Sequence, residues 1–269
     1  GCPKLQLIQP AMSRSSPRFS ANLGFLWADR SLPDAIRAAK SAGFDAVECH
    51  WPYNIASTDV AAALSETGLS MLSLNTRRGN EAAGDNGLAA VPGREVEARA
   101  AIDEAIAYAR TIGAKAVHVM AGRAEDQPAH DTFVDNLTYA AGQADVHGTA
   151  ILIEPLNQHD APGYFLRTTE QARDLIAEVG FPNLKLMFDC YHVGRTEGDV
   201  VTRLHQVAPD IGHIQFASVP DRGTPDHGDV DYRVVFAEIQ RIGWDRPLGA
   251  EYRPVGPSEE SLGWMQEHQ

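Results

Sequence analysis

Four apolar runs of strand length each end on a residue that can hold a cation or move a proton. Ile151-Leu152-Ile153 leads into Glu154, Met187-Phe188 into Asp189, His213-Ile214 into Gln215, and Gly249-Ala250 into Glu251. Successive members stand about one strand–helix unit apart. A carboxylate inside an apolar strand is costly unless it is paired, hydrogen-bonded or bound to a cation. Three converging carboxylates repel one another, and a divalent cation removes that repulsion. Oxygen-only ligation, from three carboxylates and one amide carbonyl, suits Mg²⁺ or Mn²⁺ better than Zn²⁺. Taken alone, any one of these side chains reads more readily as a loop cap or a partner of Arg or Lys. Matched positions on four strands favour a metal site.

Other polar groups follow the same strands. His159 and Asp160 come after the fifth run, His192 after the sixth, Arg222 in the loop after the seventh, and His50, Trp51 and Tyr53 after the second. Arg222 has the planar fork that suits a substrate carboxylate, set against the plainer reading of a solvated loop charge. His192 stands three residues past a proposed ligand. His50 and His159 read either as site residues or as hydrogen-bonding loop residues. His118, inside the fourth strand, reads as a satisfied core histidine. His130, His147, His205, His227 and His268 read as surface. Cys49 and Cys190 read as buried fillers, since neither has an evident base partner.

Short strand-like runs alternate with segments of helical periodicity from Arg18 onward. The strands are expected at 19–25, 45–49, 69–75, 116–120, 150–156, 184–188, 211–217 and 248–252. The helices are expected at 32–42, 60–67, 94–112, 132–146, 169–179, 199–207, 232–242 and 259–266, with a long Gly-rich loop over 76–93. Alternation of this kind implies right-handed parallel crossovers, and eight units close a single-domain (β/α)8 TIM barrel over 18–269. In that fold the chemistry sits at the C-terminal strand ends. No G-x-G-x-x-G follows a strand and no phosphate loop is present, so no nucleotide cofactor is expected.

Lys plus Arg number 23 and Asp plus Glu 36, for a net charge of −13. That balance disfavours nucleic acid and anionic membranes as partners. No apolar run approaches the ~20 residues that cross a bilayer. The 3 cysteines form no C-x-x-C pair, so a disulfide framework is not expected and a reducing cytoplasm is the simplest compartment. Residues 1–17 hold no signal-peptide core and read as a disordered lead-in, with Met12 as a natural start and the residues before it a cloning remnant.

The segments ILIEPLNQHDAPGYFL, LMFDCYH, HIQFA with PDRGTPDHGDVDY, GAEYRP and AAGDNGLAAVPGRE resemble the hydroxypyruvate isomerase family, within the xylose-isomerase-like TIM barrels. The resemblance runs from Arg18 to the C-terminus. It implies an aldose–ketose type isomerisation of a small hydroxy-oxo acid, for which hydroxypyruvate yields tartronate semialdehyde (2-hydroxy-3-oxopropanoate). Glu154 and Glu251 resemble the acid/base pair of related keto-sugar epimerases. Glu154, Asp189, Gln215 and Glu251 resemble their metal ligands, and His192 and Arg222 their substrate-binding positions. Asp160 falls where such enzymes carry an acidic residue, and His50 joins the substrate-binding set. Gln215 departs from the epimerases, which have His there, and the change implies a weaker hold on the metal. The implied reaction passes through an enediolate stabilised by Mg²⁺. Isomerisation of a 2-oxo-tetronate, 3-epimerisation of a ketose, a DNA-repair endonuclease of the same barrel type, and a non-catalytic sugar-acid sensor are the alternatives. The negative charge and the scarcity of paired histidines argue against the endonuclease, and two facing carboxylates argue against the sensor. Homo-oligomerisation is left open.

Overall fold

A computed structural model describes residues 16–269. The expected lead-in therefore lies almost wholly outside the described residues, as do Met12 and Cys2. Eight strands form one parallel sheet: β1 (Phe19–Asn22), β2 (Ala46–Glu48), β3 (Ser73–Asn75), β4 (Ala116–His118), β5 (Ala150–Ile153), β6 (Leu184–Asp189), β7 (Ile211–Phe216) and β8 (Leu248–Ala250). Their order is β2-β1-β8-β7-β6-β5-β4-β3. The two ends meet through a parallel bridge between Val47 and Met71. There the Val47 N–H donates to Ser70 at 3.0 Å, and the Leu72 N–H to Val47 at 2.8 Å. The barrel is thus closed, as the alternation predicts.

The outer helices are α1 (Leu32–Ser41), α2 (Ser57–Thr67), α3 (Glu95–Ile112), α4 (Asp126–Asp145), α5 (Thr169–Val179), α6 (Cys190–Thr196), α7 (Val200–Val207) and α8 (Tyr232–Arg241). Local chemistry sets several of their ends. Thr168 accepts from the Gln171 N–H to cap α5, which stops at Gly180 with φ 73°, a left-handed position that glycine takes without steric cost. Helix α3 buries Ala98, Ala101, Ile102, Ala105, Ile106, Ala109 and Ile112, the stripe that its three-and-four spacing predicts.

Three expectations change. Helix α4 starts at Asp126, six residues early, because Pro128 falls in the first turn, where no intrahelical N–H is needed. Helix α6 was not expected. It follows β6 at once because the Asp189 carboxylate accepts the Tyr191 N–H at 2.9 Å and caps it. The C-terminal segment is 3₁₀ at Ser258–Ser261 and Gly263–His268, not α-helix. Its register is dictated by Trp264, which packs edge-on to Phe19 and Phe216 and donates to the Tyr252 hydroxyl at 3.1 Å.

Candidate active site

The C-terminal mouth of the barrel holds a cavity of about 490 Å³. Glu154, Glu251, His192, Arg222, Asp160 and His50 all line it, as do His118, Asn75 and Phe25. Asp189 and Gln215 are buried and do not line it. His159 is exposed and does not line it either.

Glu251 leaves β8 into a ring of donors. Arg222 Nη2 donates to Oε1 at 2.6 Å. Asn22 Nδ2 donates to Oε2 at 2.6 Å, Gln215 Nε2 at 3.0 Å, and His50 Nε2 stands 3.3 Å away. Burial opposes its charge, but the His50 contact and the Arg222 guanidinium outweigh burial and hold the carboxyl at about 2. Glu154, leaving β5, has the opposite environment. Burial, and then the charges of Glu251 and Asp189, push its carboxyl well above the usual range. Its Oε2 is buried with no hydrogen-bond partner. Asp189 is pushed up to about 7 by burial and by Glu251. Two facing carboxyls therefore prefer opposite protonation states.

His192 sits on α6, three residues beyond Asp189. Its Nδ1 accepts from the Asn157 backbone N–H at 3.1 Å and from Asn157 Nδ2 at 2.8 Å. The ring hydrogen therefore lies on Nε2. Burial, and then Arg222, hold this imidazole down at about 3, so it is a neutral donor near pH 7. Asp160 accepts from the Tyr191 hydroxyl at 2.6 Å and stands 3.6 Å from Arg222 Nη1. Burial works against its charge, and the Tyr191 contact prevails to lower it.

Arg222 is not a solvated loop charge. It is 9 % exposed, lies between the rings of Phe25 and Tyr191, and faces Glu251, Asp160 and Asp189. Its backbone has φ 58°, a left-handed conformation that a non-glycine residue holds only when its surroundings demand it. The Arg222 N–H donates to Ser218 at 2.9 Å, and its carbonyl accepts the Arg253 N–H at 2.8 Å. The loop is built to point this side chain inward.

For a cation, the donor chemistry fits. Glu154 Oε2, Asp189 Oδ2 and Gln215 Oε1 are all buried without partners. Ligand atoms of Glu154 and Asp189 lie within 4.8 Å of each other and of His192, whose Nδ1 is taken by Asn157 and whose Nε2 carries the hydrogen, so the two carboxylates are the ligands of that group. Gln215 presents its amide N–H groups to Glu48 and Glu251, which leaves its carbonyl oxygen free. Glu251 is the fourth expected ligand, and both its oxygens accept from side-chain donors.

Three site residues escaped the sequence reading. Glu48, at the end of β2, is completely buried and accepts from His213 at 3.0 Å and Gln215 at 2.6 Å. It satisfies the same criterion as Glu154, a carboxylate closing an apolar strand, and could have been found by it. Asn22, at the end of β1, bridges Glu48 and Glu251. His118 is not a satisfied core histidine: it lines the cavity, and its Nε2 is buried without a partner. Cys49 and Cys190 are buried and free. Burial raises both thiols, as expected of fillers.

The profile of the family described as xylose isomerase-like TIM barrel matches residues 36–268. The chain is 42% identical to the 2-oxo-tetronate isomerase of Cupriavidus necator over 253 residues, covering 93% of this chain and 97% of that protein. It is 37% identical to the hydroxypyruvate isomerase of Escherichia coli over 252 residues, 92% of this chain and 98% of that one. Among solved structures it is similar to an AP endonuclease, family 2, from Brucella melitensis, with a TM-score of 0.90 and 34% identity, covering 94% and 99% of the two chains. It also shares its fold with a 3-keto-D-glucoside 4-epimerase from E. coli, with a TM-score of 0.79, 20% identity, and coverage of 94% and 100%. No described helix is long and apolar enough to cross a membrane. The chain belongs to the xylose isomerase-like TIM barrels, and within them to the hydroxypyruvate isomerase family of sugar-acid isomerases.

Proposed function

We propose that the protein moves the carbonyl of a short hydroxy-oxo acid by one carbon, with hydroxypyruvate to tartronate semialdehyde as the smallest case. One observation carries this reading: Glu154 and Glu251 face one cavity from β5 and β8 with their protonation preferences pushed apart. Carbonyl migration removes a proton from the hydroxyl-bearing carbon and returns one to its neighbour. One of the two carboxylates takes the first proton, and the same or the facing one returns a proton to the neighbouring carbon. The hydroxyl hydrogen passes to the former carbonyl oxygen, and proton exchange between the two carboxyls resets the pair. His192 offers a neutral Nε2–H to an oxygen on which negative charge develops. Asp160 and Tyr191 hold Arg222, and Arg222 keeps Glu251 ionised.

The residues that would hold a divalent cation are Glu154, Asp189, Gln215 and Glu251, with Mg²⁺ or Mn²⁺ the ions suited to oxygen donors. When bound, the cation supplies Lewis-acid stabilisation of the negative charge on the substrate oxygens.

Arg78, Arg123 and Arg253 line the cavity together with five acids, Glu81, Asp85, Glu154, Asp160 and Glu251, and are the cations available to a substrate carboxylate. The net charge of −13 argues against nucleic acid. The test is turnover of a panel of hydroxypyruvate, 2-oxo-tetronates and ketoses, with Glu154→Gln and Glu251→Gln beside the parent enzyme. The amide keeps shape and loses proton transfer, so each variant should lose about 10²–10⁴-fold in kcat with its circular dichroism and Tm preserved. Near-parental kcat in either variant would end the two-carboxylate reading.

A further inference from the structure

The activities named for the relatives differ in chain length. Both reactions shift a carbonyl between the second and third carbons. The four-carbon acid carries in addition a terminal CH₂OH that takes no part in the chemistry. A site that selects it must offer this hydroxyl a hydrogen-bonding partner within the cavity and away from the reacting carbons.

His118 ends β4 and Asn75 ends β3. These strands lie across the barrel from β7 and β8, because β4 and β8 are four places apart in the closed order. His118 Nδ1 stands 3.1 Å from Asn75 Oδ1. That oxygen can only accept, so Nδ1 carries the hydrogen and Nε2 presents a lone pair. Both side chains line the cavity, and Nε2 is buried with no partner. Rotating the Asn75 amide would exchange the roles, yet the pair would still keep one donor and one acceptor beyond their mutual bond. A hydroxyl needs that combination. Burial holds the imidazole at about 4, so it is uncharged near pH 7 and suits a neutral partner over a carboxylate. A buried polar nitrogen without a partner is uncommon in a folded protein and points to a group supplied from outside. The cavity of about 490 Å³ falls within the ~300–1,000 Å³ typical of drug-sized ligands, far more than a three-carbon acid fills.

We propose that His118 Nε2, oriented by Asn75, binds the terminal hydroxyl of a four-carbon 2-oxo acid, and that the enzyme thereby selects 2-oxo-tetronate over hydroxypyruvate. This rests on the isomerase reading above. A pocket built to bond a substrate hydroxyl discriminates strongly against an analogue without it, because its own polar groups are then left unpaired.

The experiment compares kcat/KM for 2-oxo-tetronate and hydroxypyruvate in the parent enzyme, His118→Leu and His118→Gln. The parent should favour the four-carbon acid by about 10-fold or more, from the hydroxyl contact together with the added carbon. His118→Leu should lose about 3- to 10-fold on 2-oxo-tetronate alone, and His118→Gln, which keeps a hydrogen-bonding end, should recover part of it. A parent that favours hydroxypyruvate would overturn the proposal, and so would equal losses on both substrates in His118→Leu. If neither acid is turned over, the isomerase reading fails by itself. The contact is then decided by calorimetric binding of threonate against 2,3-dihydroxybutanoate, which lacks only the terminal hydroxyl. Tighter binding of threonate by the parent, lost in His118→Leu and partly kept in His118→Gln, supports the contact, and equal binding by the parent refutes it.

Discussion

Replacing Arg222 by alanine separates a substrate-binding arginine from one that the fold itself needs. Read as a loop charge that grips a substrate carboxylate, Arg222→Ala should lower kcat/KM on an acid substrate by about 10- to 150-fold, the loss of one charge-assisted contact, and spare a neutral ketose. The structure predicts a different outcome. The guanidinium is 9 % exposed, with Nη2 at 2.6 Å from Glu251 and 3.9 Å from Asp189. Removing it leaves buried carboxylates facing one another without their cation. Breaking a buried pair in this way costs about 3–5 kcal/mol. At roughly 2–4 °C per kcal/mol for a chain of this size, Tm should fall by about 6–20 °C. Turnover should fall on acid and neutral substrates alike, because Glu251 loses one of the groups, with His50 and His192, that keep it ionised. The pH dependence has a definite sign. A carboxyl held at about 2 contributes stability above its unfolded value, near 4.3, and loses it as pH falls toward 2. In Arg222→Ala that loss should begin at higher pH. Arg222→Lys, which keeps the charge but not the fork, should recover part of the stability. Urea unfolding across pH 3–8, with steady-state kinetics on both substrate types, measures all of this. A variant within about 1 kcal/mol of the parent, with a defect confined to acids, would refute the reasoning and return Arg222 to the simpler role.

Other outcomes follow from the same geometry. A Cβ on Gly249 would come within 2.4 Å of Glu48 Oε1 and 2.9 Å of Gln215 Cγ, so Gly249→Ala should destabilise by about 1–3 kcal/mol in urea unfolding and cut turnover through the displaced Gln215. Saturating Mg²⁺ or Mn²⁺ should raise Tm, by the equivalent of about 2.7 kcal/mol at a hundredfold excess over Kd. Chelator should reverse the rise and Glu154→Gln abolish it, and a Tm indifferent to both ions would exclude the cation site. In the loop after β7, the Asp221 carboxylate accepts from Ser218, from His227 at 2.6 Å and from the Gly223 N–H at 3.0 Å. Burial opposes its charge, but these contacts hold it at about 2, and Asp221, then Asp226, raise His227. The Asp221 contribution is present above about 3.9, and the His227 contribution below about 6.5 and on until pH passes its raised value. Exchange protection at the Gly223 amide, corrected for intrinsic rate, should therefore be greatest between about pH 4 and 6.5 and lower at pH 8.5; flat protection would contradict it.

The barrel and much of its rim are legible in the amino-acid sequence because their signals are local. Short apolar runs of strand length and segments of 3.6-residue periodicity alternate eight times, and Glu154, Asp189, Gln215 and Glu251 each stand at or near the end of an apolar run, where an acid or amide has no packing reason to be. Glu48 carried that same signal, and only the reading of the second strand as running on to Cys49 hid it. What the tertiary structure alone decided is direction and company. Whether Arg222 meets solvent or three acids depends on a left-handed backbone turn at one loop residue. The opposite protonation preferences of Glu154 and Glu251 arise because Glu251 accepts from Arg222, Asn22 and Gln215, whereas Glu154 is buried beside the charges of Glu251 and Asp189 with no partner at Oε2. His118 and Asn75 are adjacent only through the pairing of β3 with β4, 43 residues apart in sequence. Periodicity reports which face of an element is buried. It carries no record of which side chains from distant strands meet across the closed barrel, and that is set by strand register and loop geometry.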